Sequence, residues 1–181
     1  EISWQDGLKL CETSGREFHA TVFTADELRR RQVGDVVTYV INRNVNFTNV
    51  CVKHCGFCAF SRTYRSEQGY FLPQEEILHR VREAAEMGAT EVCMQAGLPP
   101  EMDGAFYINL TAAVKKTFPA IHIHAFSPEE VLYGATLSGS SIHDYLAALK
   151  SAGLGSLPGT SAEILDQRIR DVISPGRITV Q

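Results

Sequence analysis

The stretch Asn49-Val50-Cys51-Val52-Lys53-His54-Cys55-Gly56-Phe57-Cys58-Ala59-Phe60 places three cysteines in a C-x3-C-x2-C pattern. Thiolates are soft ligands that favour zinc, copper(I) and iron–sulfur clusters. These spacings fit a single loop around one compact centre, and Gly56 lets the backbone come close to it. Three thiolates are one short of the usual four, so a cubane held here would keep one iron free for an outside ligand. The pattern therefore favours a redox cluster that binds a further molecule.

Two other interpretations of these cysteines stay open. Zinc could be bound by them together with His54, although His54 is adjacent to Cys55 and would struggle to reach the same ion. The cysteines could also be unliganded core residues, which are common singly and improbable at this density. A disulfide framework is disfavoured, because five cysteines are an odd number and Cys11 and Cys93 stand far from the others. We expect Cys11 and Cys93 to be small core residues.

The composition is that of an ordinary globular protein, with 44% hydrophobic and 21% charged residues in a chain long enough to bury a sizeable core. The net charge of −4 offers no footprint for nucleic acid or for an anionic membrane surface. No apolar run approaches the roughly 20 residues that span a bilayer. Thiolates poised for a cluster imply a reducing interior, so we expect a cytoplasmic protein. Residue 1 is Glu rather than Met, so we expect the natural start, with any targeting peptide, to lie upstream.

Residues 1–35 are expected to form a helical extension. Thr24 and Glu27 match a capping box, which predicts a helix start, and the arginines at positions 29–31 would follow toward the helix end, where the dipole favours cations. The expected buried positions of the extension are Leu8, Leu10 and Cys11.

From residue 36 onward the sequence predicts alternating strands and helices. The β-branched run Val36–Ile41 predicts the first strand, and Pro73 predicts the start of a helix that ends at Gly88. The expected buried face of this helix consists of apolar residues at helical spacing, namely Ile77, Val81, Ala84 and Ala85. The later predicted elements are a strand at 91–95, a helix at 105–118, a strand at 121–126, a helix through 142–149 with Gly153 beyond its end, a short strand ending at 155–158 and a helix at 161–173.

The order βαβαβαβα predicts an α/β protein with parallel strands and right-handed crossovers. Four such units are half of a (β/α)8 barrel, which needs about 250 residues. We therefore expect residues 36–181 to form the amino-terminal half of a barrel that is truncated at its C-terminus, with an unprotected edge near Ser156. The cysteines follow the first predicted strand, and loops at the carboxyl ends of strands carry the chemistry in such folds.

The pattern C-x3-C-x-Phe57-C resembles the signature of radical S-adenosylmethionine (SAM) enzymes. The flanking residues 42–51 resemble a group within that superfamily that acts in deazaflavin and in futalosine-pathway menaquinone biosynthesis. Together with residues 122–129 and 153–173, they are most similar to the tyrosine-using family of deazaflavin (FO) synthase subunits. Enzymes of this group have partial or complete barrels with the cluster loop after the first strand, so the resemblance implies the same fold here.

The resemblance also implies the ligands of the site. A [4Fe–4S] cluster would be held by Cys51, Cys55 and Cys58, with SAM on the fourth iron and Phe57 near the adenine. Gln95-Ala96-Gly97 would hold the amino end of SAM, although the family usually has Gly where Ala96 stands. If that position needed φ > 0, alanine would cost on the order of 1 kcal/mol. Glu163 would contact the ribose of SAM, while its match with Thr160 to a capping box accounts for both residues as structure.

The implied reaction is a radical transfer that starts from L-tyrosine. The reduced cluster would cleave SAM to a 5′-deoxyadenosyl radical, and a hydroxybenzyl fragment of tyrosine would join 5-amino-6-(D-ribitylamino)uracil in coenzyme F420 biosynthesis. The implied partners are a ferredoxin or flavodoxin as electron donor and a second radical SAM subunit or domain that closes the deazaflavin ring. The alternatives are a futalosine-pathway radical SAM enzyme and a non-catalytic zinc-binding module.

His122 and His124 alternate with Ile121 and Ile123, so both imidazoles share one face of a strand. The isoleucines suit the helix layer, which predicts that the histidines point to the barrel interior. His124 lies nearer the carboxyl end of the strand and is the better candidate for a substrate contact. A His-x-His metal pair would lack a visible third ligand.

Overall fold

The computed structural model describes residues 2–53, 55–160 and 164–180. The chain divides into two compact units, Glu1–Tyr39 and Val40–Gln181. Within the described ranges, no helix combines the length and the apolar character that a membrane crossing requires.

The first unit contains two helices, α1 (Trp4–Cys11) and α2 (Gly15–Val33). The predicted helix start at Thr24 is wrong, because α2 begins at Gly15 and the Thr24 hydroxyl donates to the Ala20 carbonyl inside the helix. Glu27 is not a capping residue and instead forms ion pairs with Arg30 and Arg31, which do lie in the last turn.

The predicted burial of Leu8, Leu10 and Cys11 is also wrong, since all three are exposed. No residue from 2 to 39 is buried. Two amphipathic helices alone have too little apolar surface to form a closed core, so the apolar pattern of Leu8, Leu10 and Cys11 did not predict burial here.

The second unit is built on a parallel sheet whose strands are β1 (Asn42–Asn44), β2 (Glu91–Met94) and β3 (His122–Ala125), in the spatial order β1-β2-β3. In the pairing register, Arg43 is opposite Val92, and Val92 is opposite Ile123. The helices that accompany the sheet are α3 (Gln74–Glu86), α4 (Phe106–Thr117), α5 (Pro128–Ser138), α6 (Ile142–Ala152) and α7 (Gln167–Ile173). This is the partial parallel α/β barrel that the sequence predicts.

The first strand lies later than predicted. Residues 36–41 are not a strand, and β1 covers only the three polar residues that follow them. The reason is the length of the partner strand: β2 begins at Glu91, which pairs with Asn42, so the ladder does not extend to the β-branched run. Val37 is 88% exposed as a result. The predicted fourth strand is reduced to one parallel bridge between His124 and Ser156.

The helix predictions were confirmed for α3, α4 and α6. In α3 the buried residues are Ile77, Val81 and Ala84, Gly88 beyond the helix has φ of 85°, and Pro73 is the N-cap rather than the first helical residue. The sequence reading missed α5, although Ser127 and Glu130 form a capping box with a proline between them. α7 is shorter than predicted, because Asp166 caps it, and residues 161–163 lie outside the described part of the chain.

The two faces of the sheet differ in polarity. Val92, Met94 and Ile123 are fully buried and pack with residues of α3 and α4 in the hydrophobic core. Ile121 joins them at 5% exposure, so the isoleucines of the third strand face the helix layer as predicted. His122 and His124 therefore lie on the opposite face.

We expect Gly134→Ala to lower the free energy of unfolding by about 2 kcal/mol, a typical value for overpacking. A Cβ atom at Gly134 in α5 would lie 2.6 Å from Cζ of Tyr145, which is buried and donates a 2.6 Å hydrogen bond to the Gly104 carbonyl. Urea denaturation of the full-length protein measures the change. Gly7→Ala is the control, because nothing lies within 4 Å of its Cβ, and it should not lower stability. Equal stabilities for the two variants would contradict the prediction.

Candidate active site

The cysteine loop, residues 45–60, leaves the carboxyl end of β1 and is tied to the loop that follows β2. We call residues 95–98 the Gln95 loop. The Asn46 side chain donates to the Gln95 carbonyl at 2.6 Å, the Gly97 amide donates to the Thr48 carbonyl at 3.0 Å, and the Val52 amide donates to the Leu98 carbonyl at 2.8 Å. These bonds extend the parallel pairing of β1 and β2 beyond the strands and fix the cysteine loop on the carboxyl edge of the sheet.

Gly97 is required by this close packing. A Cβ atom there would lie 2.8 Å from the carbonyl carbon of Val50 and 3.1 Å from Cβ of Cys51. No side chain larger than hydrogen fits without moving the cysteine loop. Ala96 is not in the left-handed region, since Phe126 is the one non-glycine residue with positive φ among those described. Alanine at position 96 therefore does not have the energetic cost of a positive φ.

One cavity brings most of the predicted site residues together. Its lining includes Cys51, Cys55 and Cys58, together with Phe57 and the Gln95 loop. The remaining residues around it are Lys53, Phe60, Ser61, Ser127, Glu129, Glu130, Thr160 and Arg177. Two predicted residues are not in the lining: His124 lies elsewhere on the sheet, and Glu163 lies outside the described residues.

Thr160 serves a different role from the predicted capping residue. Its hydroxyl donates to the Gln95 side-chain carbonyl, and the Gln95 amide in turn donates to the Cys93 sulfur at 3.1 Å. Cys93 is half-buried rather than fully in the core. These contacts hold the Gln95 side chain at the cavity rim.

The three thiols differ in their surroundings. Burial raises the pKa of the Cys55 thiol, and the positive charge and hydrogen bond of Arg177 act against that rise. For Cys58, burial also opposes ionisation, but hydrogen bonds from Ser61 and the Phe60 backbone and the charge of Arg177 outweigh it and lower the pKa. The Lys53 amide donates to the Cys51 sulfur at 3.4 Å. Donors and a cation directed at these sulfurs stabilise thiolates, which is the ligand form.

The donor set fits a cluster held on three thiolates, because each cubane iron takes its own ligand and the sulfurs need only surround a shared space. Among the residues that the structure describes, which do not include His54, no three His, Cys, Asp or Glu side chains converge so as to hold a single metal ion. The cavity lining also includes Phe57 and the Gln95 loop, so residues able to contact a second ligand lie beside the thiols.

Two buried carboxylates of α5 were missed by the sequence reading. Glu129 and Glu130 are 6% and 1% exposed and both line the cavity. They follow Phe126, whose φ of 63° turns the chain sharply at the end of β3. Backbone strain of this kind is concentrated at functional sites. The capping motif of α5 was the available signal, since it places two acids directly after a strand.

Glu130 supports the Gln95 loop by a hydrogen bond to the loop backbone. Its carboxylate accepts hydrogen bonds from the Ala96 amide at 3.0 Å and from the Ser127 amide and hydroxyl at 2.7 and 2.8 Å. Burial raises the pKa of the Glu130 carboxyl to about 7, because the lost hydration of the charged form outweighs these three donors.

His124 belongs to a separate hydrogen-bonded group. Its Nδ1 lies 2.7 Å from the Ser156 hydroxyl, and the same hydroxyl lies 2.8 Å from Nε2 of His122. His124 pairs with Cys93 in the sheet register, so this group adjoins the strand that carries the Gln95 loop. A substrate contact by His124 stays a prediction.

Residues 45–181 match the Radical SAM superfamily, and the chain belongs to that superfamily. Several curated relatives are similar over most of this chain. It is 55% identical over 157 residues to the 5-amino-6-(D-ribitylamino)uracil–L-tyrosine 4-hydroxyphenyl transferase 2 of Methanosarcina acetivorans, covering 87% of this chain and 40% of that protein. It is 46% identical over 178 residues to the corresponding transferase of Methanothermobacter thermautotrophicus, covering 98% of this chain and 48% of that protein.

A third relative is matched over a smaller share of its own length. The FO synthase of Nocardia farcinica is 48% identical over 171 residues, covering 94% of this chain and 20% of that protein. The chain thus spans at most about half the length of these relatives.

Solved structures support the fold. The FeFe-hydrogenase maturase HydG of Carboxydothermus hydrogenoformans superposes with a TM-score of 0.62 at 16% identity, covering 83% of this chain and 32% of that one. Methylornithine synthase superposes with a TM-score of 0.56 at 19% identity, covering 85% and 54%. At these identities the likeness concerns the fold alone.

The buried Glu130 predicts a pH-dependent stability. Its folded pKa of about 7 lies above the ordinary value of 4.5 for a glutamate, so its contribution to stability is complete below about pH 4.5 and is lost as pH rises through 7. The loss amounts to about 3 kcal/mol, since one pKa unit corresponds to about 1.4 kcal/mol. Glu130→Gln should flatten this dependence, as measured by urea denaturation of the full-length protein between pH 5 and 8.

The exposed Glu86→Gln serves as the control for this measurement and should keep the parental pH profile. If the stability of Glu130→Gln depends on pH as steeply as that of the parent, groups other than Glu130 cause the pH dependence.

Proposed function

We propose that the cysteine loop holds a [4Fe–4S] cluster through Cys51, Cys55 and Cys58, and that SAM binds in the cavity beside it. The observation that carries this proposal is the shared cavity, in which the three thiols and the Gln95 loop meet at the carboxyl edge of a parallel sheet. Membership of the Radical SAM superfamily supports both cofactors. When bound, the reduced cluster supplies one electron that starts radical chemistry on SAM.

Each part of the cavity has a role in this proposal. Phe57 offers an apolar ring for the adenine, and the groups of Gln95, Ala96 and Gly97 that face the cavity hold the amino end of SAM. Glu163 is proposed to contact the ribose. The capping box of α5 keeps the Ala96 backbone in place through Glu130. A rigid support of this kind matters because radical transfer depends on holding the reacting atoms close together.

We further propose that the full-length protein transfers the 4-hydroxybenzyl group of L-tyrosine to 5-amino-6-(D-ribitylamino)uracil, in the biosynthesis of the deazaflavin FO and coenzyme F420. The names of the relatives at 46–55% identity support this substrate pair over a futalosine-type substrate. His124 is proposed as a substrate contact on the face of the sheet away from the core.

The proposed partners follow from the same reaction. A ferredoxin or flavodoxin would supply the electron, and a second radical SAM subunit or domain would close the ring. The division of the chain into a helical extension at 1–35 and a partial barrel at 36–181 is proposed as its domain organisation. A cluster of this kind needs reducing conditions, so we propose the cytoplasm as its location.

Replacing Cys51, Cys55 or Cys58 by alanine should abolish binding of the cluster, because each is proposed to ligate a different iron. The measurement is iron and sulfide content of the full-length protein after anaerobic reconstitution. Cys11→Ala and Cys93→Ala are matched controls, since Cys11 is exposed in α1 and Cys93 lies in β2 outside the cavity lining. Equal iron loss from Cys93→Ala and Cys55→Ala would refute the ligand assignment, and one zinc per chain would favour the zinc-binding module.

The full-length protein should consume tyrosine only when SAM, a reductant and the ribitylaminouracil are all present. A reactive benzylic fragment has to meet its acceptor before water does, so we expect turnover to be coupled to the presence of both substrates. With ring-labelled tyrosine, the label should appear on the uracil product by mass spectrometry. Turnover of a futalosine-type substrate without transfer of the tyrosine label would show that the menaquinone assignment is correct instead.

A further inference from the structure

Three charged side chains meet beside the cysteine loop, and the ligand pattern does not account for them. The Lys53 ammonium lies 3.2 Å from Oε1 of Glu129, and Nε of Arg177 lies 3.7 Å from Oε2 of the same carboxylate. The Ile178 amide also donates to Oε2 at 2.6 Å. We call Lys53, Glu129 and Arg177 the Glu129 ion cluster.

The Glu129 ion cluster is largely buried. The Glu129 and Arg177 side chains are 7% and 10% exposed, and the Lys53 side chain is 27% exposed. Charges at this depth are costly unless they are paired and hydrogen-bonded, so removing one partner leaves the others strongly destabilised. Glu129 is the partner that both cations share.

These contacts join three distant parts of the chain. Lys53 belongs to the cysteine loop, Glu129 to the first turn of α5, and Arg177 to the segment after α7. The end of α7 and the segment after it touch the cysteine loop twice more: Lys53 donates to the Gly176 carbonyl, and the Gly56 amide donates to the carbonyl of Ile173, the last residue of α7, at 2.8 Å. Glu129 therefore joins the cysteine loop, through Lys53, to the segment after α7, through Arg177.

Arg177 also reaches one of the three thiols. Besides its ion pair with Glu129, its Nη1 lies 3.8 Å from the Cys55 sulfur. Arg177 and Lys53 both line the cavity that contains the three thiols. Three thiolates are a concentrated negative charge, and nearby cations in a poorly solvated site interact with it strongly.

We propose that Glu129 is a positioning residue, which ties Lys53 of the cysteine loop to Arg177 so that the Arg177 guanidinium stays beside the Cys55 thiolate that binds iron. This inference rests on the proposed cluster. The Glu129 carboxylate then has two effects. Its ion pair with Lys53 keeps the shape of the cysteine loop, and its ion pair with Arg177 keeps the guanidinium beside the Cys55 sulfur. The surrounding charges and hydrogen bonds of a cluster help to set its reduction potential.

The test uses the full-length protein, reconstituted anaerobically and then incubated with an iron chelator. Glu129→Gln should lose iron about tenfold faster than the parent, a modest effect for the loss of the buried carboxylate that both cations share. Glu129→Asp keeps the charge and should recover part of the difference. Lys53→Met combined with Glu129→Gln removes one cation and one anion, and it should lose iron more slowly than Glu129→Gln alone.

The reduction potential provides a second readout that a purely structural role would not move. Arg177→Gln should shift the midpoint potential of the cluster to more negative values, because a cation beside a thiolate favours the added electron. Glu83→Gln is the matched control: it breaks an ion pair with Arg43 outside the cavity, and it should keep the parental potential and rate of iron loss.

The outcomes separate this inference from the proposed function. A parent protein that takes up no iron would overturn the cluster and the positioning role with it. If the parent takes up iron normally, two results would each overturn the inference alone. One is that Glu129→Gln loses iron at the parental rate, and the other is that Arg177→Gln keeps the parental midpoint potential. The urea midpoint of each variant identifies any that does not fold, and Glu129→Asp is then the variant that decides.

Discussion

The contact between Gly97 and the backbone of the cysteine loop determines where the three thiols lie. The chain after β2 approaches so closely that a Cβ atom at this position would overlap the Val50 carbonyl group. Because the amides and carbonyls of the two loops also pair, the cysteine loop behaves as an extension of the sheet rather than as a free surface loop. The position of the proposed cluster is thus set by the strand ladder, which is among the most rigid parts of a fold.

The first turn of α5 is the second support of the site. Phe126 adopts a positive φ at the end of β3, and the chain then enters a helix whose first turn contributes two buried acids. One of them, Glu130, supports the Gln95 loop from the core side, and the other, Glu129, gathers cations beside the cysteines. The local cost of the strained residue is offset by a helix start that serves both neighbouring loops.

The two faces of the sheet differ in polarity, so one face supplies the hydrophobic core and the other holds the polar groups that are able to bind ligands. Residues such as Val92 and Ile123 bury one face against the helices and supply the core. On the other face, the Ser156 hydroxyl is hydrogen-bonded to both histidines. Gln95, which donates to the Cys93 sulfur, is the polar residue that lines the cavity next to this face. Period-two alternation in parallel strands therefore places the groups able to bind ligands on the side that the core does not need.

Local patterns in the sequence were sufficient for several features of the protein. The cysteine spacing and its neighbours indicated the superfamily, because ligand chemistry restricts which residues can stand at which separation. Helical periodicity predicted the buried face of α3, and alternation predicted which way Ile123 and His124 point. Glu130 could also have been found in this way, since its capping motif is fully local.

Other features depended on the partners that the folded chain supplies. The run Val36–Ile41 has strand-forming residues but no ladder to join, because β2 starts too late, and Leu8 has an apolar pattern without a closed core around it. The acidic pair of α5, the arginine at position 177 and the lysine at position 53 meet only in three dimensions. Sequence alone determined the ligand pattern and the local elements, whereas burial and long-range charge pairing were decided by tertiary structure, since both depend on residues distant in the chain.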